Sequence, residues 1–303
     1  MTALPARRRT GRVRSAQTRM AWILLIPFLV IFAAMFLVPL GYSFYVSLFS
    51  SQLVGGTVFT GLGNYARALQ DPSFYAGLSR VALFLLVQVP IMLIAAIFFA
   101  LALDSGRVRG GKIVRLLIFL PYAVPSVVAT LMWGYLYGQD FGLITQLFEL
   151  VGLPAPNLLS SSSVLGSTMN IVCWSFIGYN MIILYAALRS IPTELYEAAE
   201  IDGAGQFRVA WSVKLPAIRP ALLLTVIFSI IGSFQLFNEP NLLYNIAPNA
   251  IGNDFSPNLY AYNLAFKNQD INYAAAIAFL LGLVIAVISF VVQTATNRKE
   301  RRA

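Results

Sequence analysis

The sequence predicts an all-α integral membrane protein of six transmembrane helices. Three observations predict it: 58 % of the 303 residues are hydrophobic, 11 % are charged, and charge-free windows of membrane-crossing length recur along the chain. Soluble domains carry about a quarter of their residues as Asp, Glu, Lys and Arg, so an ordinary water-facing globule is excluded. About 20 apolar residues rising 1.5 Å each cross a hydrocarbon layer of ~30 Å. Runs this long without alternation are not strands, because open sheet edges cannot face lipid.

Residues 1–19 carry Arg7, Arg8, Arg9, Arg12, Arg14 and Arg19 with little apolar content, which predicts a disordered basic tail. The apolar run from Met20 to about Leu48 is far longer than the ~7–15 residues of a signal-peptide core, and no small-x-small site ends it. The first helix, within residues 20–66, is therefore expected to stay in the membrane. Windows 81–103, 116–139, part of 150–188, 220–238 and 271–297 hold five more, so residues 20–303 form one transmembrane domain. Pro27, Pro39, Pro90, Pro121 and Pro125 fall inside or at the ends of these runs, where proline bends helices. Static kinks that help the helices pack are expected ahead of gating hinges.

With the N-terminus inside, 18 of the 21 Lys and Arg lie on inner pieces, and Arg67, Arg80 and Lys267 lie outside. Over short loops that asymmetry places both termini and the loop near residues 190–216 in the cytoplasm. The net charge of +9 thus reflects orientation in membrane lipid. Its clusters sit at the ends of apolar runs and form no phosphate-binding surface, so no nucleic-acid partner is expected. The chain has no histidine, and its one cysteine, Cys173, lies in an apolar run. No catalytic residue and no metal site follow from that inventory, and no intrachain disulfide is possible. Gly106 to Lys112 satisfies G-x-x-x-x-G-K, but Ile113 stands where a phosphate-binding loop needs Ser or Thr. The stretch also follows a membrane helix rather than a strand, and it reads as a basic turn.

Charge crowds into the middle of the chain only between Glu194 and Pro220. Glu194, Glu197, Glu200 and Asp202 suit the positive start of a helix dipole, and Pro192 suits a first turn. Leu195, Ala198, Ala199 and Asp202 fall on one helical face. Gly203 and Gly205 mark a stop, Gln206 to Val213 form a second short helix, and Pro216 and Pro220 open the next apolar run. A bent pair of short helices with small residues at the elbow is predicted, projecting from a hydrophobic body.

Glu197-Ala198-Ala199, Gly203, then nine residues and Val213-Lys214-Leu215-Pro216 resemble the EAA signature of binding-protein-dependent ABC importer permeases. Ile201-Asp202-Gly203-Ala204 resembles the carbohydrate branch, which includes maltose and glycerol-phosphate permeases. Similar echoes occur at Gly61-Leu62-Gly63-Asn64-Tyr65 with Asp71 to Phe74, at Phe119-Leu120-Pro121 through Trp133, at Gly142-Leu143-Ile144 and at Ala274-Ala275-Ala276. The outer loop departs from the pattern, with Tyr244-Asn245-Ile246-Ala247-Pro248 where many relatives have Thr-x-Gly-Gly-Pro.

The resemblance implies a type I ABC importer permease bundle in a bacterial or archaeal cytoplasmic membrane. It implies a second permease subunit, two ATP-binding subunits and an extracytoplasmic solute-binding protein. ATP and Mg would sit on the partner ATPase subunits, with no cofactor bound by this chain. It assigns Glu197, Ala198, Ala199, Asp202, Gly203, Ala204, Leu215 and Pro216 to ATPase coupling. Glu197 is expected to make polar contact, Ala198 and Ala199 to allow close approach, and Gly203 to make the bend.

Mid-membrane stretches lack charge, so no acidic ion relay is visible. Tyr179, Asn180, Ser229, Ser233, Gln235 and Asn238, with Trp133 and Trp174, are the candidates for lining a path. Hydroxyls and amides pair with neutral polyols, and aromatic faces stack on their C–H faces. Gln235 and Asn238 are expected on one helical face near the outer end, with Glu239 at the mouth. A di- or oligosaccharide is the expected cargo. A non-sugar solute such as glycerol phosphate, a secondary transporter and a membrane-embedded enzyme are the rivals.

Overall fold

The computed structural model describes residues 10–52 and 55–300. Among the described residues four helices are long and apolar enough to cross a membrane: Thr18–Ser47, Pro72–Asp104, Val164–Arg189 and Ile271–Ala295. Two bent pairs stand between them, Gly111–Ala123 with Ser126–Leu136 and Gln206–Ala217 with Arg219–Phe234. Counting each pair as one gives six spans, numbered below in chain order; in the second pair Arg219–Phe234 is the part inside the bundle, and Gln206–Ala217 bends away from it by 67°.

Arg7, Arg8 and Arg9 lie outside the described residues. A helix begins at Thr10 and continues without a break into the first span, so Thr10 to Arg19 is helical where a disordered tail was expected. The first apolar window also ends sooner than its charge-free length suggests. Its helix stops at Ser47, and Phe49–Gln52 pairs antiparallel with Gly56–Phe59, Phe49 opposite Phe59. Asn64 explains the stop, because its amide donates to the carbonyls of Ser47 (2.9 Å) and Phe49 (2.6 Å).

The prolines act unequally. Pro90 sits inside the unbroken helix Pro72–Asp104, whereas the third span breaks by 94° after Pro121. Leu120–Ala123 tightens into a 3-10 turn, and Val124 is extended (ψ 127°). A residue before proline avoids the α region, and Val124 precedes Pro125. The span expected over 116–139, with kinks at its prolines, is therefore two arms at a right angle.

Small residues set the packing of the remaining spans. Ala96 and Ala100 of the second span are fully buried against Met181, Leu184 and Leu188 of the fourth. Such residues let membrane helices approach closely. Ala274 and Ile277 of the sixth span pack with Ala68, Phe74 and Leu264. At that end of the bundle Asp71 caps the second span and accepts from the hydroxyls of Tyr260 and Tyr273, each at 2.6 Å. Arg67 lies 3.8 Å over the Tyr273 ring and pairs with Asp270 at 3.0 Å. These contacts clamp one end of the bundle. At the opposite end Asp104, just ahead of the basic turn at residues 107–115, pairs with Lys214 at 2.6 Å, and this is the basic end of the molecule.

Candidate functional site

Two features stand out: a cavity among the spans and an elbow at the basic end. The cavity holds about 330 Å³ between the second, fourth and fifth spans, a size that admits a small solute. Tyr179, Asn180, Ser233, Gln235, Asn238 and Glu239 all stand on its wall, with Ser229. Sequence reasoning missed Gln88 and Ser126 there, and the apolar wall of Phe84, Met92, Phe176 and Phe228. Gln88 was legible as the one amide in an otherwise apolar window; counting charges alone passed over it.

Several of the polar groups are held. The Tyr179 ring stacks on Tyr122 at 4.7 Å and 21°, and Phe176 meets Tyr122 edge-on at 5.7 Å. Asn180 is buried, its amide donating to the Phe176 carbonyl (3.0 Å) and the Met92 sulfur (3.6 Å). The Ser233 hydroxyl donates to the Ser229 carbonyl at 2.8 Å and keeps its acceptor capacity. The Asn238 amide donates to Ser126 Oγ at 3.4 Å. Trp133 and Trp174 are absent from this wall and pack edge-to-face on each other at 5.9 Å.

The expected shared helical face of Gln235 and Asn238 does not exist. The helix ends at Phe234, Phe237 has φ −146° and ψ −53°, and a new helix starts at Asn238. The two amides reach the cavity from either side of that break. Irregular backbone inside a membrane protein survives where it lines a cavity or is covered by protein, and this break does the former.

The elbow's first arm is Thr193–Ile201, with Pro192 just ahead of it rather than in its first turn. Gly203 has φ +73°, and the Ala204 amide donates back to the Ala199 carbonyl at 2.9 Å. That is a Schellman closure, which places a left-handed residue, usually glycine, at the position Gly203 occupies. Gly205 keeps an ordinary φ of −68° and starts the second arm, so only one of the two glycines is needed for the bend. The second arm extends past Val213 to Ala217 by way of a π-turn at Ala210–Lys214, taking in Leu215 and Pro216. Glu197, Ala198, Asp202 and Gly203 are exposed, and Ala199, Ala204, Leu215 and Pro216 are half-buried. Ile201 (86 %) and Phe207 (84 %) are apolar yet almost fully exposed; the sequence named Ile201 only within the family pattern and did not mark Phe207. Apolar side chains projecting this far from a charged elbow suit burial against another protein.

Fold and site together define a polytopic membrane protein with a solute-sized chamber in its bundle and a rigid elbow at one end. The family of binding-protein-dependent transport system inner membrane components matches residues 60–302, and the chain belongs to it. The lactose transport system permease protein LacF of Rhizobium radiobacter is 30 % identical over 89 % of this chain and 91 % of its own. The trehalose transport system permease protein SugA of Mycobacterium tuberculosis is 30 % identical over 96 % of this chain and 92 % of its own. Among solved structures, a chain of a bacterial ABC transporter that imports the acidic polysaccharide alginate superposes with a TM-score of 0.82. That match has 18 % identity and covers 95 % of this chain and 99 % of the other. The same fold similarity extends to that alginate transporter in complex with a periplasmic protein bound to an alginate pentasaccharide.

Proposed function

We propose that this chain is a permease subunit of an ATP-driven importer of di- or oligosaccharides, supplying half of the translocation path. The observation that carries the reading is the cavity wall. Amides, hydroxyls and aromatic faces dominate its polar lining, Glu239 is its one ionisable carboxyl, and neither Lys nor Arg is part of it. A neutral polyol offers hydroxyls to each of these acceptors and donors. An anionic solute such as glycerol phosphate would want a cation there.

The chain itself performs no chemistry. It binds no nucleotide or metal; ATP and Mg²⁺ are held by two ATP-binding subunits, and a second permease and an extracytoplasmic solute-binding protein complete the assembly. Both termini and the elbow face the cytoplasm. Glu197 and Asp202 offer polar contacts to the ATP-binding subunit, Ala198 and Ala199 let it approach, and Ile201 and Phe207 bury against it. Gly203 and Ala204 hold the bend, while Leu215 and Pro216 seat the second arm against the bundle. The relatives named for lactose and trehalose transport support the sugar, and the lopsided Lys and Arg distribution supports the orientation.

The test is uptake by the reconstituted complex of permeases, ATP-binding subunits and binding protein. A panel of radiolabelled neutral disaccharides, trisaccharides and glycerol phosphate is offered with and without internal ATP. ATP-dependent uptake of a neutral sugar is expected. Uptake without the ATP-binding subunits, or preference for the phosphate, overturns the reading.

A further inference from the structure

We propose that the Lys214–Asp104 ion pair is a mechanical tie that makes the cavity wall follow the elbow. The proposal rests on the elbow being the ATPase-docking element and adds how its movement reaches the solute. Lys214 Nζ lies 2.6 Å from Asp104 Oδ2, with the two side chains only 9 % and 6 % exposed. The other two ion pairs among the described residues, Arg67–Asp270 and Arg80–Asp254, are far more open to their surroundings. Lys214 ends the π-turn of the elbow's second arm, where the widened ladder turns it inward while Trp211 and Ser212 stay exposed. π-turns of this kind recur at functional sites.

The tie reaches more than one element. Asp104 is the last residue of the second span, so the pair joins that span to the elbow's second arm. The Tyr196 ring of the first arm stands 5.2 Å from the Lys214 ammonium, and the Tyr196 hydroxyl donates to the Leu188 carbonyl of the fourth span at 3.4 Å. One ammonium thus gathers both arms of the elbow, and its aromatic neighbour binds them to the fourth span. From Asp104 the second span runs as a single unbroken helix to Met92, Gln88 and Phe84 on the cavity wall. At 1.5 Å per residue the distance from the pair to Gln88 is about 24 Å along one helix. A displacement of the elbow therefore arrives at the chamber through one continuous helix.

Energetics argue that the pair serves geometry more than stability. Removing one partner of a buried pair leaves an uncompensated charge and destabilises strongly, whereas replacing both with neutral groups of similar volume is often neutral or better. D104N and K214M alone are accordingly expected to lower the yield of folded protein. D104N/K214M removes the tie without stranding a charge, and K214R preserves it.

The experiment uses the full reconstituted complex in a C173A background with two reporters. A benzophenone on L195C, on the same face of the first arm as Ala198 and exposed, reads contact between elbow and ATP-binding subunit. Labelling of Q88C by a small charged methanethiosulfonate, with and without ATP and vanadate, reads movement at the chamber. With the native pair, and with K214R, nucleotide trapping should change the Q88C labelling rate about tenfold, a usual size for coupling between distant sites. In D104N/K214M that response should vanish while the L195C cross-link and ATP hydrolysis persist. A response of native size in the double variant overturns the proposal. So does loss of the cross-link in that variant, which would mean the pair only holds the elbow's shape. Absence of the cross-link with the native pair intact would instead sink the docking role itself, and the tie with it.

Discussion

A single methyl group placed at Gly178 should force the third and fourth spans apart. A Cβ there would lie 2.1 Å from the Ile118 carbonyl oxygen and 2.7 Å from both Ile118 C and Phe119 Cα. Favourable carbon contacts begin near ~3.5 Å, so the backbones must separate by more than about 1 Å. No flexible side chain is available to give way, because every atom met is main chain. The overpacking cost is therefore about 1–3 kcal/mol for G178A. Gly166 lies in the same helix, is exposed and has nothing within 4 Å of its would-be Cβ. There, alanine should stabilise by roughly 0.5–1 kcal/mol through lost chain entropy. Thermal unfolding of the detergent-solubilised protein should rank G166A above the native chain and G178A below it. Because Gly178 precedes Tyr179, G178A should also loosen the Tyr179–Tyr122 stack and slow uptake. Equal melting of the two variants would refute the close-approach geometry.

Three more outcomes follow from the site and the clamp. G203V has room for its side chain but must hold a left-handed backbone, at about 1–2 kcal/mol; it should raise the ATP hydrolysed per solute carried, and native coupling in that variant would count against the elbow. E239Q removes a charged acceptor from the cavity wall, so solute affinity, read by equilibrium binding, should weaken about tenfold or more, as charge-assisted hydrogen bonds predict. Burial pushes the Asp71 carboxyl up, but the Tyr260 and Tyr273 hydroxyls and the Ser73 and Phe74 amides outweigh it and hold it below the usual carboxylate range. A carboxyl depressed on folding stabilises above its unfolded pKa and loses that contribution as pH falls through the folded value. D71N should therefore melt lower than the native chain near neutrality and show a shallower loss of stability in acid; parallel pH profiles would contradict the clamp.

What the sequence made legible was whatever depends on local pattern. Charge-free windows located the second, fourth and sixth spans because nothing interrupts those helices. The bend of the third span was half visible: Pro121 and Pro125 were marked as kinks, but an angle of 94° depends on how Val124 is forced out of the helix. The chain break at Gln235 to Phe237 carries no proline or glycine to announce it, which is why Gln235 and Asn238 were expected on one helix. Gly203 could be read because only a left-handed residue closes that turn. Gly178 could not, since its need arises from a carbonyl on another span. The Lys214–Asp104 pair escaped for the same reason, its partners 110 positions apart in sequence and Lys214 reading as one more basic-loop charge.

The account turns on whether the elbow meets an ATP-driven partner in the cytoplasm. Ile201, exposed at the end of the first arm, is the position to report it. A nitroxide on I201C, in the C173A background, is followed by electron paramagnetic resonance in sealed right-side-out vesicles made with and without the ATP-binding subunits on the inner face. The account predicts a mobile label that becomes strongly immobilised on assembly and is shielded from an impermeant reductant added outside. A label that stays mobile in the complete complex, or that the external reductant quenches at once, contradicts it.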